Sequence, residues 1–82
     1  MPKPRSESGE KNLIRKRLIE ARLKKDFSQR DLAAALQCYG LDVDQNVITR
    51  IETGKRFVTD IELRALCRVL EVSYEYLIDG EE

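Results

Sequence analysis

Five side chains within six residues give the chain its sharpest chemical signal: Gln45, Asn46, Val47, Thr49 and Arg50. Amides of Gln and Asn pair bidentately with the edge of adenine, a guanidinium pairs with guanine, and the methyls of Val or Thr meet that of thymine. Ile48 and Ile51 lie three apart, which puts both on one stripe of a helix and turns Gln45, Asn46, Thr49, Arg50 and part of Val47 away from it. That outward face has no acid before Glu52, whereas a merely solvated helix ordinarily mixes Lys with Glu for support between neighbouring turns. A plain polar surface helix is the alternative. Gly54-Lys55-Arg56 follows at once, with two cations after a helix-ending glycine. Helix starts at Gln29 and Gln45 would add free backbone N–H groups for phosphate oxygens. Amides, hydroxyl and guanidinium are thus flanked by cations and free amides, as a base-reading face held by backbone clamps requires.

These groups need rigid elements to hold them, and the sequence marks four helix starts by one device. Ser28, Asp44, Thr59 and Ser73 stand 14 to 16 residues apart, each with a side-chain oxygen for an orphan backbone N–H. The pairs Phe27/Leu32, Val43/Ile48, Val58/Leu63 and Val72/Leu77 have the spacing of the hydrophobic staple. Glu62 completes a capping box with Thr59, and Asp31 forms a weaker one with Ser28. The expected helices cover residues 10–25, 29–39, 45–53, 60–71 and 74–78. Ile14, Leu18 and Ala21 face inward from the first, Leu32, Ala33 and Leu36 from the second. Leu63, Leu66, Cys67 and Leu70 face inward from the fourth. No alternating strand pattern occurs, so an all-α chain of five helices with short connections is predicted.

The 82 residues predict one domain. Residues 1–9, with two prolines and two serines, read as a disordered tail, residues 10–79 as the folded unit and 80–82 as a short C-terminal tail. Neither a membrane span nor a secretory leader is legible, and a cytoplasmic location is the expectation. Without histidine or a Cys pair at ligand spacing, no metal site is expected, and Cys38 and Cys67 read as small core residues. The zero net charge hides an asymmetry: residues 1–30 hold ten Lys/Arg against four Asp/Glu, and residues 31–82 hold five against eleven. The basic first third could meet phosphate or simply be a solvated helix face.

With these features assembled, the chain resembles the helix-turn-helix family of phage Cro and repressor proteins. The residues that carry the resemblance are Phe27-Ser28-Gln29-x-x-Leu32-Ala33, then Val43-Asp44-x-x-x-Ile48-Thr49-Arg50-Ile51-Glu52-x-Gly54-Lys55, and finally Leu70-Glu71-Val72-Ser73-x-x-x-Leu77. The resemblance implies a compact bundle of five helices with the third lying in the major groove of double-stranded DNA. It implies that Gln29 contacts a phosphate or base edge, and that Gln45, Asn46, Val47, Thr49 and Arg50 face bases. Lys55, Arg56 and Arg30 would hold phosphates. Arg22 and Glu52 match positions of a partly buried structural ion pair. The family also implies a homodimer on a near-palindromic operator, paired through the region of the fourth and fifth helices. No cofactor or small-molecule ligand is expected.

The chain departs from the family pattern in three places. The passage from Leu36 to Val43 is five residues longer than usual, Asp26 replaces a glycine after the first helix, and Glu71 replaces one before the last. The longer turn either offers Tyr39 or Asp42 to a partner, or adds a turn to the second helix that stops at Gly40 and buries Leu41 and Val43. Ile19 and Leu23, off the main stripe of the first helix, either pack on the fifth helix or face a partner, and Ile61 and Val69 raise the same question. The leading function is a sequence-specific DNA-binding regulator that occupies an operator and blocks or recruits polymerase, with repression the favoured sense. The alternative is a helical protein-interaction module that does not read DNA. An enzyme is a poor reading, since no nucleophile–base pair, carboxylate pair or Gly-rich phosphate loop is present.

Overall fold

A computed structural model describes residues 9–81. The expected tail therefore lies outside the described residues except for Gly9, as does Glu82. The described chain folds into α1 (Arg15–Lys24), α2 (Gln29–Tyr39), α3 (Gln45–Glu52), α4 (Asp60–Leu70) and α5 (Tyr74–Asp79), with no strand among the described residues. α2 packs on α3 and α4, α1 on α3 and α5, and α4 on α5. One apolar core joins them, with Leu18 from α1, Leu32 and Leu36 from α2, Ile48 from α3, Leu66 from α4 and Leu77 from α5 all essentially sealed from solvent. Each such leucine or isoleucine contributes about 1.5–3 kcal/mol relative to an exposed position.

The four caps form as their chemistry dictates. Ser28 accepts from the Asp31 amide, Asp44 from Val47, Thr59 from Glu62 and Ser73 from Tyr76, and both capping boxes are complete. Their spacing fixes where four of the five helices begin, and so which face of each meets the core.

The exception is α1, which starts at Arg15 rather than at residue 10. Residues 10–14 form a strap across the C-terminal end of α3 instead. The Lys11 amide donates to the Gly54 carbonyl at 2.9 Å, and Asn12 Nδ2 donates to the carbonyls of Ile51 and Arg56, both at 3.0 Å. Asn12 Oδ1 in turn accepts from the Ile14 amide just before α1. These nonlocal bonds outcompete the extra helical turn that the local pattern suggests.

The longer connection between α2 and α3 is a lengthened helix. α2 continues to Tyr39 and stops at Gly40, whose φ of 107° suits glycine and whose successor Leu41 donates back to the Leu36 carbonyl. Val43 is buried and Leu41 packs at the edge of the core, while Gln37 Nε2 donates to the Val43 carbonyl at 2.6 Å and pins the return. Tyr39 and Asp42 stay exposed. So does Cys38, against expectation: the added turn carries it past the core. Cys67 is buried, and loss of hydration pushes its thiol pKa up. Both residues that replace glycine take left-handed backbone, Asp26 at φ 61° and Glu71 at φ 57°.

Candidate nucleic-acid interface

α3 is eight residues long and is fixed at both ends. Asp44 caps its N-terminus through the Val47 amide at 3.0 Å. At the other end the Gly54 amide donates to Ile51 and the Lys55 amide to Arg50, closing the helix. Gly54 permits this with φ of 75°, and a Cβ there would lie 3.0 Å from Glu10 Cγ in the strap. Arg15 Nε donates to the Glu52 carbonyl at 3.1 Å. The strap and α1 therefore satisfy carbonyls that the end of α3 would otherwise leave bare.

The inner side of α3 is anchored by charge as well as by Ile48 and Ile51. Glu52, only 4% exposed, is gripped by Arg22 through Nε at 2.7 Å and Nη2 at 3.0 Å. The third nitrogen of Arg22 donates to the Phe27 carbonyl at 2.8 Å. Glu52 Oε1 also accepts from Gln29 Nε2 at 2.9 Å, and Gln29 Oε1 accepts from the Thr49 hydroxyl at 2.8 Å. A continuous bonded chain thus runs from α1 through Glu52 and the first residue of α2 to the outer side of α3.

The residues singled out from the sequence fall into two groups. Gln45, Asn46 and Arg50 are exposed on α3, with Val47 and Thr49 half-buried beside them. Arg30 at the start of α2 and Lys55 after α3 are exposed too. The side chains of Gln45, Asn46, Arg50, Arg30 and Lys55 have no hydrogen-bond or ion-pair partner among the described residues. The second group is already bonded within the chain. Gln29 and Thr49 bond each other. Arg56 makes a two-pronged pair with Glu62, each bond 2.9 Å, and donates to the Phe57 carbonyl. Hydrogen bonding to Arg56 holds the Glu62 carboxyl below its ordinary pKa, and the same contact raises that of Arg56. Glu62 therefore does two jobs, completing the Thr59 cap and holding the loop after α3.

Sequence reasoning missed Lys11, Asn12 and Arg15 as residues that position α3. One signal was available. An Asn three residues before a helix, able to bond the backbone locally, marks a start rather than an interior turn. Among the described residues no group of His, Cys, Asp and Glu side chains has the arrangement of a metal site. No described helix is long and apolar enough to cross a membrane.

The helix-turn-helix family matches the chain over residues 18–77, which spans all of the structure from the middle of α1 into α5. No curated protein matches the chain.

Proposed function

Because the chain belongs to the helix-turn-helix family, of Cro and repressor type, a family of DNA-binding regulators, we propose that it is a sequence-specific transcriptional regulator that lays α3 in the major groove and represses by occupying an operator. The observation that carries this reading is the set of polar side chains on a fixed helix, those of Gln45, Asn46 and Arg50, exposed and with no bonded partner among the described residues. Gln45 and Asn46 have the donor–acceptor pairs for adenine, Arg50 the fork for guanine, and Val47 the methyls for thymine. Lys55 and Arg30 supply cations beside this face for phosphate. Arg56 holds the loop that carries Lys55, and reaches a phosphate only by sharing or leaving Glu62. The proposed regulator works without a cofactor and performs no chemistry on the DNA.

A homodimer accompanies this reading. Ile61 is 69% exposed and Tyr74 44%, on adjoining elements with Asp60, Arg64 and Arg68 around them. An apolar centre edged by both signs of charge is self-complementary across a two-fold axis. Two copies would then read half-sites about 34 Å apart, one turn of the duplex. A protein-interaction module that does not read DNA is favoured by one observation: Asp42 and Asp44 stand exposed at the start of α3, where they repel phosphate.

Selection from a random duplex pool at low salt separates the two. The proposed function predicts an enriched, two-fold symmetric site. No enrichment under conditions where phosphate attraction is strongest contradicts it.

A further inference from the structure

Four exposed residues mark one side of α1 and its approach: Leu13, Lys16, Glu20 and Leu23. Both leucines are 60% exposed, and Leu13 stands one residue ahead of the N-cap residue Ile14. Ile19 is half-buried, so of the two apolar residues off the main stripe of this helix only Leu23 is left in solvent. The steps between the four, three then four then three residues, are those of the apolar seam of paired helices. Their order is also symmetric about Leu18. Leu13 and Leu23 lie equally far on either side of it, and so do Lys16 and Glu20. Two such helices running antiparallel across a two-fold axis at Leu18 would set each Leu13 against the partner's Leu23 and each Lys16 against the partner's Glu20. We propose that this face of α1 is a self-association surface whose occupant is a second copy of the chain. The inference is independent of the DNA-binding reading.

Charge complementarity selects this occupant. Lys16 and Glu20 are one turn apart, yet a lysine placed before the glutamate is the poorer order for a pair within one helix, and Lys16 has no partner among the described residues. Glu20 accepts a long bond of 3.3 Å from the Tyr76 hydroxyl, which leaves its carboxylate lone pairs for a cation. The ends of the face fit each other in shape. Glu20, Leu23, Lys24 and Tyr76 line an open depression, and Lys24 Nζ lies 5.9 Å from the centre of the Tyr76 ring beside it. The partner's Leu13 is the knob for that depression, and symmetry makes the contact twice. A single helix of ten residues offers a small interface, so the association is weak and depends on concentration. The face is separate from the one around Ile61 and Tyr74, and a chain that uses both assembles beyond two copies.

The test is sedimentation of the full chain without DNA, from micromolar to millimolar concentration, in an Ile61→Lys background that disables the other face. Self-association is expected to persist there. Leu23→Glu should weaken it about tenfold or more, since it sets a carboxylate in both apolar contacts. Lys16→Glu and Glu20→Lys should each weaken it about tenfold or more, because two like-charged pairs replace two attractive ones. The double swap Lys16→Glu with Glu20→Lys should recover most of the loss, which no damage to one subunit alone would do. Thermal melts within a degree or two of the parent show that these exposed substitutions leave the fold intact. A chain that stays monomeric throughout overturns the proposal and leaves this face to another partner. Self-association indifferent to Leu23→Glu, or a double swap as weak as the two single changes combined, overturns it as well.

Discussion

Replacing Glu52 by alanine should cripple the fold before it touches recognition. The carboxylate is 4% exposed and receives both Arg22 bonds and one from Gln29. Its removal leaves the Arg22 guanidinium, whose side chain is 11% exposed, with only the Phe27 carbonyl as partner among the described residues. Breaking a buried pair from one side costs about 3–5 kcal/mol, because the surviving charge is desolvated and uncompensated. An 82-residue chain has on the order of 4–12 kcal/mol in total, so this single change takes roughly a quarter of the stability or more. Urea unfolding followed by circular dichroism reads it directly. With a slope of roughly 1 kcal/mol per molar urea, the midpoint should fall by about 3 M or more, or the chain should already be unfolded in buffer. Replacing both partners by apolar residues, Arg22→Met with Glu52→Leu, should cost less than Glu52→Ala alone, since no buried charge is stranded. A Glu52→Ala midpoint within about 0.5 M of wild type would refute the reasoning, as would a double variant less stable than the single one.

Other regions of the fold make separate predictions. Asn12→Ala strips a donor from the Ile51 carbonyl at the end of α3 and from the Arg56 carbonyl in the loop after it, and should cost about 1–3 kcal/mol; Asn12→Asp should be no better, because a carboxylate cannot donate to either, and thermal melts of the two variants check both statements. Glu71→Gly should raise stability by up to about 1 kcal/mol, read as a higher melting temperature, since a left-handed non-glycine residue costs about 1–2 kcal/mol and glycine gives back part of that through its freer unfolded chain and the lost exposed pair with Lys25; a lower melting temperature would count against the strain. Stability should decline as pH falls below the ordinary glutamate value of 4.5, because the folded chain holds the Glu62 carboxyl lower and that contribution is lost only as the group takes up its proton. Glu62→Gln should flatten this acid limb, measured as melting temperature against pH.

Much of this fold is written locally. Ser28, Asp44, Thr59 and Ser73 announce their helices because a cap and its amide lie within three residues of each other, a distance that sequence alone resolves. The added turn of α2 was legible for the same reason, as Gly40 marks where the helix stops. The errors lie where partners are distant in sequence. Residues 10–14 carry a helix-like pattern, yet the bonds of Asn12 reach Ile51 and Arg56. Arg56 reads as a free cation beside Lys55 until Glu62 swings back from α4 to meet it. Cys38 looks like core until the added turn carries it into solvent. The outward face of α3 is legible from period alone. That Gln29 and Thr49 are bonded to each other, while the side chains of Gln45, Asn46 and Arg50 have no partner among the described residues, is visible only in three dimensions.

The central claim is that α3 reads bases through its unpartnered side chains while Lys55 meets phosphate. Binding of the wild-type chain, Arg50→Ala and Lys55→Ala to the selected duplex and its single-base variants, across a range of salt, tests it most directly. The account predicts that Arg50→Ala loses about 1–3 kcal/mol and its preference at one base pair, with folding stability unchanged. It predicts that Lys55→Ala weakens every duplex alike and lowers the salt slope by about one. Arg50→Ala weakening all duplexes equally, with no position relaxed, would contradict the claim that this helix reads sequence.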